Sequence, residues 1–147
     1  MLDISPDNSL LRFLVAQGHA IYQIDWGSPS VEDGQQDIGG YVTDMLLPLI
    51  AALPAPPILV GYCLGGTMAI AAAALAPRVA LATIAAPWHF GAYPDAFREQ
   101  TRQAWISAEE YCRQMGIMPM EVLQAGFWSL SPRRTIEKYA NFADMPQ

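Results

Sequence analysis

The sequence predicts an α/β fold: a parallel sheet with flanking helices, followed by a helical cap segment. Two patterns carry that expectation. In the front half, short apolar runs alternate with helical stripes, in the order helix–strand–helix–strand–helix–strand that a parallel sheet requires. After Pro87 the strand signals stop, and an aromatic loop leads into what reads as helices. The boundary falls near Pro94 and divides the chain into residues 1–94 and residues 95–147.

Each element has its own signal. Ser5-Pro6 has the form of an N-cap followed by proline in the first turn. Leu10, Leu11, Leu14 and Val15 then make a helical stripe, and Gly18 stands where a glycine stop belongs. Residues 20–25 (AIYQID) predict a short strand, and residues 26–36 a loop marked by Gly27, Pro29, Asp33 and Gly34. Ile38, Tyr41, Val42, Met45, Leu46, Leu49, Ile50 and Leu53 recur at helical spacing. Pro48 predicts a kink or a seam inside that helix, and Pro54, Pro56 and Pro57 end it. Residues 58–62 (ILVGY) read as a buried parallel strand. Residues 64–76 form an alanine-rich helix ended by Pro77, and residues 79–85 a second buried strand. Beyond the loop at 88–95, Ser107-Ala108-Glu109-Glu110 has the capping-box form, and Ser131-Pro132 opens a last helix.

Composition narrows the function classes. At 147 residues the chain is one domain or part of one. Apolar residues make up 52% and charged ones 15%, enough for a sizeable core with apolar surface left over for something else to cover. A net charge of −6 argues against nucleic acid, which needs clustered Lys and Arg; only Arg133 and Arg134 sit together. No apolar run approaches the roughly 20 residues of a membrane span, and the start lacks the basic and apolar regions of a signal peptide. Cys63 and Cys112 make neither a disulfide framework nor a metal site, so a reducing cytoplasm is expected and no metal or other cofactor.

The chemistry concentrates in Gly61-Tyr62-Cys63-Leu64-Gly65-Gly66, a G-x-C-x-G-G that follows a strand and opens a helix. A nucleophile on such a turn is held in a strained conformation and exposed above the sheet. Gly61 and Gly65 are expected to flank it because side chains there would collide with the neighbouring strand and helix. The helix start places a positive dipole end at the sulfur and favours thiolate, and the Leu64 N–H is expected to supply half of an oxyanion hole. The plainer reading, a small buried cysteine in a glycine-rich turn, gives way to the strand–turn–helix placement.

Ser5-Pro6-Asp7-Asn8-Ser9-Leu10, then Gly18-His19, Asp25-Trp26-Gly27-Ser28-Pro29, Gly61 to Thr67 (GYCLGGT) and Trp88-His89-Phe90 follow one another at intervals that resemble the polyhydroxyalkanoate synthases. The resemblance is close up to Pro94 and loose beyond it, and it implies a partial α/β-hydrolase fold. It also implies an acyltransferase that moves 3-hydroxyacyl groups from coenzyme A thioesters to a growing polyester. Cys63 would carry the acyl group, a histidine would activate the nucleophiles, and an aspartate would support the histidine. The granule surface or a second subunit would be its partner. The nucleophile–acid–histidine order is not completed here, since His19 and His89 are the only histidines. The chain therefore reads as truncated at both ends and, as it stands, incompetent or nearly so.

His89 could form a dyad with Cys63, oriented by Asp95, but a loop histidine lining the pocket with Trp88 and Phe90 is the stronger reading, and the resembling family more usually has aspartate there. Trp88, Phe90 and Tyr93 could equally pack cap against core. His19 is expected to cap helix carbonyls, Asp25-Trp26-Gly27 to form a structural corner, and Cys112 to pack. Two rival functions stay open: an α/β hydrolase with a cysteine nucleophile, such as an esterase, thioesterase or dienelactone-hydrolase-like enzyme, and a non-catalytic binding module.

Overall fold

The computed structural model describes residues 2–143. A small hairpin opens the chain, β1 (Asp3–Ser5) pairing antiparallel with β2 (Asn8–Ser9). Pro6 and Asp7 therefore make its turn, and the capping role expected of Ser5 falls to Ser9. The Ser9 hydroxyl accepts from the Arg12 N–H at 3.0 Å and starts α1 (Leu10–Ala16). Gly18, at φ +88°, ends α1 as expected: its N–H donates to the Val15 carbonyl and that of His19 to the Leu14 carbonyl. This is the Schellman arrangement, so His19 caps with its backbone.

Residues 20–25 do not form the expected strand. They join no ladder, because the parallel sheet has only two strands among the described residues. An apolar run becomes a strand only where an edge is offered to it. The corner that follows does form, with the Gly27 N–H donating to Asp25 Oδ1 at 2.9 Å and the Trp26 ring edge-on to Tyr41 at 5.5 Å.

The long amphipathic stripe is helical in three pieces: α2 (Ile38–Gly40), a π-helical segment (Tyr41–Leu46) and α3 (Leu47–Ala51). Proline 48 has no N–H, and its ring would strike the carbonyl four residues back in a regular α-helix. Widening the preceding turn meets that demand: the Leu47 N–H donates to Val42, five residues back. Pro48 thus marks the expected seam.

β3 (Ile58–Tyr62), α4 (Leu64–Leu75) and β4 (Ala80–Ile84) form a parallel βαβ unit, with Ile58 opposite Ala80 and Tyr62 opposite Ile84. Val42 and Leu46 of the π segment pack against Met68 and Ala72 of α4, with Leu59 of β3 at the margin. Alanines on α4 let these backbones approach closely. β3 was expected to be buried and is so only at Gly61, with Ile58, Val60 and Tyr62 exposed; β4 was likewise expected to be buried and is exposed throughout. It pairs only with β3, and nothing among the described residues covers its other edge.

Beyond β4 the structure is helical: α5 (Asp95–Met115), α6 (Met120–Leu130) and α7 (Pro132–Ala143). Ser107 is not an N-cap. It lies inside α5, where its hydroxyl donates to the Gln103 carbonyl at 2.9 Å. The glutamates that completed the capping-box pattern are surface residues of one continuous helix, and Glu110 pairs with Arg113. Ser131 does precede the last helix and accepts from the Thr135 N–H at 3.1 Å. Cys112 is buried on α5, as expected of a packing residue.

Candidate active site

The C-terminal ends of β3 and β4 lie side by side, and Cys63 stands at the first of them. Its φ of 52° and ψ of −122° put an L-residue where few sit, at a strain of about 1–3 kcal/mol. The surroundings hold it there. The Cys63 N–H donates to Ile84 O at 3.0 Å, and Cys63 O accepts from the N–H groups of Gly66 (2.9 Å) and Thr67 (3.2 Å). The turn is thereby tied to the last rung of the β3–β4 ladder, Tyr62 opposite Ile84, before the chain enters α4. The thiol itself is half-buried and reachable.

The glycines around it divide differently from the sequence expectation. A Cβ on Gly61 would lie 2.5 Å from Gly66 Cα and 2.6 Å from Gly65 O, so Gly61 has no room for a side chain. Gly66 has none either, since its Cβ would lie 2.9 Å from Gly61 O and closer still to Ala86 Cβ. Gly65 faces open space, with nothing within 4 Å of its Cβ position. The collision expected at Gly65 belongs to Gly66, because the helix turns residue 66 inward onto the loop after β4 and residue 65 outward.

The first N–H groups of α4, those of Leu64 and Gly65, donate to no protein oxygen among the described residues. They are therefore free to meet an oxyanion, together with the positive end of the helix. Leu64 is half exposed, leaving approach to this corner open.

The proposed partners of Cys63 are not gathered around it. No hydrogen bond joins the thiol to a histidine among the described residues. His89 is exposed at the start of a 3-10 turn (Phe90–Ala92), where its carbonyl accepts from Ala92 N at 2.9 Å. The carboxylate of Asp95 pairs with Arg98, so it does not orient His89. Trp88 and Phe90 flank His89 and are about half exposed, while Tyr93 packs on Phe97 at 5.2 Å. Two shallow depressions, of about 630 and 450 Å³, share Ile24, Asp25 and Trp26, and the second extends to Asp44 and Pro48. Neither includes Cys63. The backbone geometry at Cys63 outweighs them as a guide to chemistry, because the Asp25 carboxylate is already engaged by Gly27. Among the described residues no three His, Cys, Asp or Glu side chains gather to hold a metal ion, and no helix is long and apolar enough to cross a membrane.

Two residues at the site carried no recognised signal. Ala85, at φ 50°, takes a second strained turn at the end of β4. Thr67 is a buried hydroxyl that donates to Pro87 O at 2.6 Å. A lone hydroxyl in an otherwise apolar helix was the available clue to Thr67, whereas nothing in an alanine announces a positive φ.

The model of the alpha/beta hydrolase family matches residues 6–146. The chain is 32% identical over 139 residues to a poly(3-hydroxyalkanoate) polymerase subunit PhaC of Haloferax mediterranei, covering 90% of this chain and 28% of that protein. It is 28% identical to the Haloarcula marismortui subunit, covering 98% of this chain and 32% of the relative. For the Allochromatium vinosum subunit the identity is 32%, with 99% of this chain and 42% of the relative covered. The chain thus spans well under half the length of these relatives. No solved structure matches it.

Proposed function

Because the chain belongs to the alpha/beta hydrolase family, we propose that it is the elbow-bearing piece of an acyltransferase in which Cys63 carries the acyl group as a thioester. The observation behind this reading is the backbone of Cys63, strained at φ 52° and tied down on both sides. A merely structural cysteine gains nothing from such a conformation. A nucleophile gains a fixed approach and an oxyanion corner.

The substrate class in this reading is supported by the thiol and by the relatives, which are poly(3-hydroxyalkanoate) polymerase subunits. The Cys63 thiolate attacks the carbonyl carbon of a 3-hydroxyacyl-CoA, and the Leu64 N–H holds the oxyanion. The bond from the acyl carbon to the coenzyme A sulfur breaks, and coenzyme A leaves as a thiolate. The terminal hydroxyl of the polyester then attacks the Cys63 thioester, loses its proton to a base, and releases the Cys63 thiolate with the chain one unit longer. Thioester-to-thioester exchange is nearly balanced in energy, which suits a cysteine better than a serine.

In this reading the base and its supporting carboxylate come from outside residues 2–143. Residues 1–94 form the core piece and residues 95–147 a cap, with Trp88, His89 and Phe90 along the acyl path. No metal or other cofactor takes part. The protein works in the cytoplasm at the polymer granule surface, alone or with a second subunit.

The test is incubation of the full-length protein with a 3-hydroxyacyl-CoA, followed by mass analysis of the Cys63 peptide. An acyl adduct with release of coenzyme A, lost in Cys63→Ala, is the expected outcome. Free hydroxy acid without polymer would assign a hydrolase instead. No adduct on folded wild-type protein would sink the acyl-carrier reading and leave the binding module.

A further inference from the structure

The hydrogen bonds around the elbow close a ring that the proposed chemistry leaves unused. Ile84 O accepts from Cys63 N at 3.0 Å, and Cys63 O accepts from Thr67 N at 3.2 Å. The Thr67 hydroxyl then donates across 20 residues of sequence to Pro87 O at 2.6 Å, three residues beyond Ile84. Inside the ring, Ala85 is held at φ 50° and Ala86 presses on the bare Cα of Gly66. Thr67 is 7% exposed and is the buried polar side chain among the described residues. A buried hydroxyl needs a partner, and an alanine here would make α4 a better helix. A threonine in that place has work to do outside its own helix.

We infer that Thr67 is a positioning residue: its hydroxyl clamps the strained loop after β4 to the first turn of α4, and so fixes the segment that leads into Trp88 and His89 relative to the Cys63 turn. This rests on the acyl-carrier reading of Cys63. Thr67 touches neither the thiol nor the substrate. It acts through Pro87 O on one side and through its own N–H to Cys63 O on the other. Every other side-chain hydrogen bond among the described residues spans nine positions of sequence or fewer, so this one alone ties two separate elements at the site.

The experiment compares wild type, Thr67→Val and Thr67→Ser in the full-length protein. Val keeps the shape and removes the donor, whereas Ser keeps the donor. Acylation of Cys63 by a 3-hydroxyacyl-CoA and alkylation of Cys63 by iodoacetamide are both followed by peptide mass, so that Cys112 does not confuse the count. Thr67→Val should slow acylation at saturating thioester by about 10- to 100-fold, with little change in half-saturation, and Thr67→Ser should recover most of the rate. If Val is too unstable to purify, Thr67→Ala, which leaves room for water at the Pro87 carbonyl, is read the same way. Equal acylation by wild type and a folded Val or Ala variant overturns the inference. So does failure of Ser to restore the rate. Wild type that alkylates at Cys63 but never acylates points instead to failure of the acyl-carrier reading. In that case the alkylation rates alone decide: Val or Ala must differ from wild type and Ser must not, or the positioning role falls.

Discussion

Moving one methyl group between two adjacent glycines should change the sign of its effect on stability. In Gly66→Ala the new carbon meets Gly61 O at 2.9 Å, Ala86 Cα at 3.3 Å and Ala86 Cβ closer than either. Carbon contacts are comfortable at about 3.5–4.0 Å, so something must move by the better part of an ångström. The neighbours cannot yield easily. Gly61 is in β3 and paired to β4, and Ala86 lies between the strained Ala85 and the Pro87 carbonyl held by Thr67. Overpacking of this kind costs about 1–3 kcal/mol, offset by about 0.5–1 kcal/mol for replacing a helical glycine. Gly66→Ala should therefore lose about 1–2 kcal/mol. Gly65→Ala meets nothing within 4 Å and should gain about 0.5–1 kcal/mol. With urea slopes of about 1–3 kcal/mol/M, the two unfolding midpoints should differ by about 1 M. Coincident midpoints, or Gly65→Ala as the weaker variant, would refute the packing account of the elbow.

Two further outcomes follow from the capping and charge geometry. Ser9→Ala should destabilise α1 by about 1 kcal/mol through loss of the cap to Arg12 N, while Ser5→Ala should be near neutral; equal effects in thermal melts would restore Ser5 as the cap. On α5, hydrogen bonds from Arg102 and then Gln103 hold the Glu99 carboxyl below the usual carboxylate range, as Arg113 and then Gln114 do for Glu110. A depressed folded value adds stability that is present above the ordinary carboxylate range and fades as pH falls through the folded value. Circular dichroism should then show a small, salt-sensitive loss of helix below that range, absent in Glu99→Gln/Glu110→Gln. The loss is small because both pairs are exposed.

The parts of the fold legible in the sequence are those whose determinants are local. ILVGY, the alanine-rich helix and the glycine stop at Gly18 were placed almost to the residue, because strand runs, helix formers and αL glycines act within a few positions. The misplacements share a different cause. Ser5-Pro6 and Ser107 to Glu110 satisfy capping patterns that the chain meets in the wrong context, one in a hairpin and one within a longer helix. Residues 20–25 have strand composition and no ladder, since pairing depends on an edge elsewhere in the chain. At the candidate site the motif placed Cys63 at the turn between β3 and α4. Only three-dimensional contact could separate Gly66 from Gly65, or reveal that Thr67 reaches Pro87.

Strain of about 1–3 kcal/mol at each of Cys63 and Ala85 persists only where surroundings over-determine it. Those surroundings lie within one βαβ unit and the π segment packed on it: the β3–β4 ladder, the Cys63 bonds to Ile84, Gly66 and Thr67, and the Val42, Leu46, Met68, Ala72 core. The shape of the elbow is therefore set by a local unit, independent of how many further strands flank it. Reactivity is not local in that sense. A thiol poised by its backbone still needs a base, and the two histidines lie on separate loops without a bond to Cys63. On the acyl-carrier reading proposed above, the position of the Cys63 thiol and its activation are thus separable properties. Alkylation of Cys63 reads the first and acylation by a thioester reads both, so a protein that alkylates normally but acylates poorly would locate its deficit in the base rather than in the elbow.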